Sequence, residues 1–356
     1  MLFYPSSSSF SEMVKKMRFF LTGHTGFKGS WFVPFLKAKG HSVIGFSDTA
    51  HPDSLYTSAE LSKLLEKEYW GDIRDSRFLT KAINESDPEV IVHFAAQSLV
   101  RVSYLRPRET FETNFIGTLN VLENLQGLQH LRSVLIVTTD KVYLDSSKKN
   151  GYTETDPLSG SDPYSSSKAA ADLLTQSWVK SFNLKSVNVA RAGNVIGGGD
   201  WNQDRLIPDI VKAIKNQEKP LLRFPNSIRP WQHVLDCLNG YYALIEYGIR
   251  TKNSSEWNFG PVVDPEFSVK KVTSLILEEF NSLDAWGIQP GNHPKESQVL
   301  LLDSRKAREI LQWKEVLSTE QAVKWTSVWY KALHDGANPL KLIQDQILEF
   351  NSRLET

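Results

Sequence analysis

The stretch "TGHTGFKGSW", residues 22–31, sets Gly23, Gly26 and Gly29 at GxxGxxG spacing. It follows the apolar run "RFFLT" (18–22) and opens "SWFVPFLKAKG", which reads as an apolar helix. Glycines between a buried strand and a helix allow a tight turn. They also let backbone N–H groups and the helix N-terminus approach a pyrophosphate. A tight βα turn without a ligand is the lesser reading in that context. Thr25, Phe27 and Lys28 complete the loop as candidate dinucleotide contacts. Two features resist the pattern: Pro34 falls inside the expected helix, where it removes a hydrogen bond, and His24 has no chemical assignment.

Outward from the loop, short apolar runs alternate with helical patterns. "RFFLT" (18–22), "HSVIGF" (41–46), "EYWGD" (68–72), "EVIVHFA" (89–95), "SVLIVTT" (133–139) and "KSVNVAR" (185–191) predict strands. "ETNFIGTLNVLENLQG" and "YSSSKAAADLLTQSWVKSF" predict helices between them. This rhythm predicts an α/β fold with a doubly wound parallel sheet and right-handed crossovers. After about residue 191 the rhythm breaks, as expected for a smaller α+β lobe. The expected division is a flexible extension over 1–17 and a dinucleotide domain over 18–190, joined by a segment near 231–256. A substrate-binding lobe then takes 191–230 and 257–356.

Composition narrows the function. Lys plus Arg and Asp plus Glu number 41 each in 356 residues, so no global field favours nucleic acid or an acidic membrane surface. The single cysteine, Cys237, excludes an intramolecular disulfide and reads as a small core residue. The eight histidines lack metal-ligand spacing, so no metal is expected, and His93 and His233 read as core residues. No segment approaches the roughly 18 apolar residues of a membrane span. The leader "MLFYPSSSSFSEMVKKM" lacks an h-region of about 7 to 15 apolar residues. A cytoplasmic protein is expected, with a disordered serine tract and Met13 or Met17 as alternative starts.

An acid after the second strand would hold the ribose of NAD. Here Ser47 takes that place, with Asp48 next and no arginine following to receive a 2′-phosphate, which favours NAD over NADP. Asp72 in "GDIRD" is a candidate for the adenine amino group, or simply a turn residue. Tyr164 and Lys168 in "DPYSSSKAAADLL" lie four apart on one helical face. A tyrosine is a poor base near its reference pKa of about 10, and a neighbouring ammonium favours the phenolate. Thr139 would add a hydroxyl to the same reacting oxygen, and hydride transfer at a carbinol carbon is the implied chemistry. In "VTTDKVY" (137–143), Asp140 and Lys141 stand at a strand end, pointing to opposite faces if extended.

The glycine spacing, "HFAAQS" (93–98), "TNFIGT" (113–118), Thr139 and Tyr164 to Lys168 together resemble the extended short-chain dehydrogenase/reductase family. "TTDKVY", "RAGNVIGGGDW", "RLIPD", "RPWQHVLDCLNGY" and "WNFGP" resemble its nucleotide-sugar 4,6-dehydratases, in particular those acting on CDP-glucose. The resemblance implies a Rossmann domain with a smaller nucleotide-sugar lobe. It implies tightly bound NAD contacted also by Ile73, Ala95 and Ala96. It implies oxidation at C4, loss of water across C5 and C6, and hydride return to C6. Asp140 would be the acid and Lys141 the base. Asn194 and Arg229 would face the diphosphate, with Arg101 and Arg205 as further candidates, and Gln97 would contact the sugar or the nicotinamide. Trp201 would stack on a base or pack. The product would be a precursor of dideoxy sugars in bacterial surface polysaccharide. A homodimer, or a dimer of dimers, would pair through helices around 112–125 and 164–182. A 4-epimerase, or a dehydratase for another nucleotide sugar, is the alternative.

Overall fold

The computed structural model describes residues 16–146, 148, 150–262, 266–282, 286–291 and 300–355; the serine tract expected to be disordered lies outside them. Six parallel strands form at the places the sequence indicates: β1 (Arg18–Thr22), β2 (Ser42–Ser47), β3 (Lys67–Trp70), β4 (Val90–His93), β5 (Ser133–Val137) and β6 (Val187–Ala192). A seventh, Glu256–Phe259, adds to β6 with Trp257 opposite Ala190. The spatial order runs Glu256–Phe259, β6, β5, β4, β1, β2, β3. The winding reverses between β1 and β4, which opens a crevice at their carboxyl ends.

The inner strands β1, β4 and β5 read as apolar runs because helices cover both faces of the sheet. Successive residues alternate between faces: Phe19 and Leu21 enter one core cluster and Phe20 the other. Helix Phe27–Ala38 continues through Pro34, which is buried with its neighbours. Helix Val234–Thr251 packs on β5, β6 and helix Phe27–Ala38, and so belongs to the sheet layer.

Four expectations change in detail. Met17 is buried, and its N–H donates to His41 Nδ1 at 3.2 Å, so the ordered fold begins inside the supposed extension. The edge strand Glu256–Phe259 crosses the boundary drawn at 257, because its three inner residues are buried against β6. The helix expected over 112–127 opens as a π turn, Glu112–Ile116, before helix Gly117–Glu123. Strand β5 stops at Val137, and Asp140–Val142 forms a 3₁₀ turn capped by Thr139, whose Oγ1 accepts from Lys141 N at 3.4 Å. Asp140 and Lys141 therefore diverge by about a third of a turn rather than to opposite faces.

The remaining residues build a smaller α+β lobe at the crevice. Two short parallel pairs, Val195–Ile196 with Gln232–His233 and Leu221–Leu222 with Gly287–Ile288, carry its loops. Helices Leu206–Lys215, Val269–Glu279 and Thr319–His334 surround them. Among the described residues, no helix is long and apolar enough to cross a membrane.

Candidate active site

The crevice widens into one cleft of about 2740 Å³ between sheet and smaller lobe, and every site residue named from the sequence lines it. At one end is the glycine loop. Gly23 has φ +72°, and a Cβ there would lie 2.6 Å from Ala95 N. A Cβ on Gly29 would lie 2.4 Å from Gly23 O, whereas Gly26 has room. Gly26 occupies the N-cap of helix Phe27–Ala38, and no side chain caps it. The first-turn N–H groups of that helix have no intrahelical acceptor. The donor set and the bare cradle fit a pyrophosphate.

His24 now has a role in the scaffold. Its ring is fully buried, sits over Gly45, and its Nε2 is 3.0 Å from Glu68 Oε1. Glu68 also accepts from Tyr56 Oη. Burial pushes the His24 pKa down, so the imidazole ties the loop to β3 as a neutral ring. Thr25 Oγ1 lies 3.1 Å from Ser47 Oγ and donates to Thr49 O at 2.8 Å, which fixes the end of β2. Asp72 is held by Arg74, whose Nε lies 2.9 Å from Oδ1. Arg74 lines the same cleft from beyond β3, and Glu112 stands 3.6 Å from its Nη1. An arginine is thus present near the adenosine end, but two carboxylates already face it.

Helix Pro163–Ser181 carries the Tyr164 and Lys168 pair. It starts there because Asp162 and Ser165 form a capping box and Pro163 sits in the first turn. Tyr164 N donates to Ser103 Oγ at 3.1 Å. Both reactive side chains are buried. The expected tuning of Tyr164 by Lys168 takes another form: burial pushes the phenol up, while the Arg205 guanidinium and the Thr139 hydroxyl pull it down. Lys168 donates to Val137 O at 2.9 Å. Burial, helped by the Lys28 ammonium, pushes its pKa down to about 7, with Asp172 opposing. Lys28 itself donates to Tyr241 Oη at 3.0 Å.

Beside this pair lies the 3₁₀ turn. Asp140 is 2% exposed; its Oδ1 accepts from Thr139 Oγ1 at 2.9 Å, and its Oδ2 has no protein partner. Lys141 is partly exposed on the same wall. Across the cleft, Asn194 has φ +48° and a buried amide nitrogen without a protein partner. Arg205 is the N-cap of helix Leu206–Lys215, and Arg229 Nη1 donates to Ile228 O at 3.1 Å. Arg101 instead pairs with Asp204 at 2.7 Å, joining helix Val100–Leu105 to the smaller lobe. The Gln97 amide is committed locally: Nε2 donates to Thr110 Oγ1 at 2.9 Å, and Oε1 accepts from Leu99 N at 2.6 Å. Trp201 packs edge-on against Tyr330, with centroids 5.1 Å apart.

Several site residues escaped the sequence. Asn114, in the π turn, accepts from Gln97 N at 2.8 Å and donates to Ser167 Oγ at 2.8 Å, tying the β4 loop to the helix of Tyr164. Gly193 backs Asp140: a Cβ there would lie 1.9 Å from Asp140 Oδ2. Asp172 and Arg191 form a fully buried ion pair behind the turn. The fitting signals were "TNFIGT" and "RAGNVIG", motifs that gave no hint of which atoms meet. His93 bridges Thr22 and Thr118 hydroxyls at 2.7 and 3.1 Å, and burial pushes its pKa down to about 3. His233, equally buried, caps helix Val234–Thr251.

The glycine cradle, the helix of Tyr164 and Lys168 and the turn of Asp140 and Lys141 around one cleft form an α/β site of the dehydrogenase kind. The chain belongs to the family whose model is described as GDP-mannose 4,6 dehydratase, which matches residues 20–326, within the extended short-chain dehydrogenases/reductases. It is 38% identical over 346 residues to CDP-glucose 4,6-dehydratase of Salmonella typhimurium (strain LT2), covering 94% of this chain and 96% of that enzyme. Among solved structures, dTDP-glucose 4,6-dehydratase of Bacillus anthracis in complex with NAD superposes with TM-score 0.76. Identity there is 26%, with 91% of this chain and 99% of that chain covered. The dTDP-glucose 4,6-dehydratase DesIV of Streptomyces venezuelae, with NAD bound, gives the same TM-score and identity over 91% of this chain and 100% of that one.

Proposed function

We propose that the chain is an NAD-dependent nucleotide-sugar 4,6-dehydratase that converts CDP-glucose to CDP-4-keto-6-deoxyglucose and water. The observation that carries this reading is the capped turn bearing Asp140 and Lys141 beside Tyr164 in the cleft. A 4-epimerase needs the tyrosine and lysine but no second acid/base pair. The 38% identity to a CDP-glucose enzyme, against 26% to the dTDP-glucose 4,6-dehydratase of Xanthomonas campestris, supports the cytidine base.

Gly23, Gly26 and Gly29 would cradle the pyrophosphate of NAD, with Ser47 and Asp72 toward its adenosine and Lys168 on its ribose. Bound there, NAD would supply a hydride acceptor for C4 and a hydride donor for C6, with no net change over a cycle. Tyr164 takes the C4 hydroxyl proton, helped by the Arg205 charge and the Thr139 hydroxyl. The resulting ketone would acidify the C5 proton, which Lys141 would remove and return to C5 as C6 takes the hydride, while the proton gained by Tyr164 would restore that of Asp140. Asp140 gives its proton to the C6 hydroxyl as it leaves as water. Its Oδ2 is buried and has no protein partner. Arg205 and Arg229 would hold the diphosphate, where a planar guanidinium suits phosphate oxygens.

A cytoplasmic homodimer, or a dimer of dimers, completes the reading. The helices around 100–123 and 163–181 leave Leu105 81% and Leu173 51% exposed, with Phe111 and Ile116 also open. Apolar side chains on two neighbouring helices suit a helical interface with a second copy.

The test is incubation of the purified protein with CDP-glucose and, separately, with dTDP-, UDP- and GDP-sugars. Alkaline absorbance reports the 4-keto product, and mass spectrometry reports loss of one water. Product from CDP-glucose alone is expected. Turnover of another nucleotide only would discard the cytidine assignment, and C4 epimerisation without water loss would discard the dehydratase.

A further inference from the structure

Arg191, on β6, and Asp172, on the helix of Tyr164, are both fully buried. The pair is bidentate: Nε to Oδ2 and Nη2 to Oδ1 are each 2.8 Å. Burying two charges is costly, and apolar side chains of similar volume often serve stability as well or better. A stabilising role alone therefore accounts poorly for the pair. Gln176 Nε2, one helical turn on, donates to Asp172 Oδ1 at 2.8 Å, and two further bonds of the pair reach the residues that flank the turn. Asp172 Oδ2 accepts from Thr138 Oγ1 at 3.2 Å, just before the turn. Arg191 Nη1 donates to Tyr143 Oη at 2.8 Å, just after it, and to Glu154 O at 3.2 Å. Tyr143 Oη donates onward to Asn258 Oδ1 at 2.7 Å, and its ring stacks on Tyr152 at 5.0 Å. Asp172 is also one helical turn beyond Lys168, on the same face.

We propose that Arg191 and Asp172 are positioning residues, a buried bracket that grips both ends of the turn 139–142 and sets Asp140 and Lys141 against Tyr164 and Lys168. Resting on the dehydratase reading for its activity readout, the bracket acts on turnover rather than on substrate or cofactor binding. Neither side chain lines the cleft, so neither touches the reactants. Five segments meet at this node: β6, the Pro163–Ser181 helix, the turn, the Glu154 loop and the edge strand Glu256–Phe259. The bracket thus gives the turn a single seat, where each contact alone would allow it to pivot.

Removing one partner alone would leave an unpaired buried charge, so the test uses the double variant Arg191→Met/Asp172→Leu. Its expected kcat is about 100-fold lower, the loss that follows a misplacement near 1 Å. KM for CDP-glucose, NAD affinity and thermal stability are expected to stay near wild type. Hydrogen exchange at the amides of residues 139–143 is expected to rise without a global change. A folded double variant with wild-type kcat and unchanged exchange would overturn the proposal. If the wild type turns over no nucleotide sugar, the dehydratase reading fails, and the exchange measurement still decides the bracket. Should the double variant not fold, Tyr143→Phe decides. About tenfold lower kcat at unchanged KM supports the bracket, as expected for one lost bond to a charged donor. Unchanged kcat overturns it.

Discussion

Replacing Gly193 by alanine places a methyl group against the proposed acid. The added Cβ would stand 1.9 Å from Asp140 Oδ2, 2.0 Å from Cγ and 2.4 Å from Oδ1, where real contacts stay above 3.0 Å. The carboxyl must retreat by about 1 Å, which breaks its 2.9 Å bond from Thr139 Oγ1. Asp140 is 2% exposed, so it retreats into packed surroundings, at about 1–3 kcal/mol of stability. A displacement of that size at a reacting group lowers kcat about 100-fold. The glycine loop is untouched, so NAD affinity should hold. A double-mutant cycle measured by 4-keto product formation isolates the cause. In an Asp140→Ala background the methyl group has room, and Gly193→Ala should then cost almost nothing further. Wild-type kcat in Gly193→Ala, or an equal loss in both backgrounds, would refute the reasoning.

Lys141→Met should lower dehydration at least about 100-fold while the substrate still reduces bound NAD in a single turnover; full dehydration in that variant would sink the base assignment. If the proposed dimer forms through the helix of Leu173, Leu173→Arg at that 51% exposed position should give monomers in light scattering, and an unchanged mass would reject that helix as the interface. Burial pushes Asp236 up to about 7 from the ordinary 3.8, with Oδ1 accepting from Val316 N at 2.7 Å. Between those values the folded protein keeps a proton that the unfolded chain has released, so stability falls as pH rises through the window. Asp236→Asn removes that dependence and should gain stability over wild type between about pH 4 and pH 7; a pH-independent difference in urea unfolding would contradict it.

The parts of this molecule that were legible from the chain are those whose cause is local. β4 and β5 are buried at every position, so they appear as apolar runs, Val90–Val92 and Val134–Val137. Gly23 and Gly29 are legible because the close approach of neighbouring backbone leaves glycine as the only fit. Tyr164 and Lys168 stand out because helix spacing alone puts them on one face. The four-residue strand Glu256–Phe259 did not stand out, since its partner β6 lies more than sixty residues earlier and its own run is too short to show a period. The wide turn at 112–116 was equally hidden: five residues of π helix carry the same apolar pattern as α helix, yet they aim Asn114 at Gln97 and Ser167.

The same distinction separates reacting groups from the groups that hold them. Asp140 and Lys141 are neighbours in sequence, so their chemistry can be suspected from a tripeptide. Gly193, Asp172 and Arg191 lie 31 to 53 positions away and meet the turn or its flanks through a missing methyl group and an ion pair. Their identity alone carries no signal: a glycine after a strand is usually a turn, and an arginine is usually solvated. Arg205 shows the functional consequence. Sequence spacing gave the task of tuning Tyr164 to Lys168, but the guanidinium that pulls the phenol down comes from the smaller lobe. Lys168 is itself buried, and burial pushes its pKa down to about 7. The proposed proton acceptor, Tyr164, is thereby linked electrostatically to Arg205 on the wall proposed to hold the diphosphate.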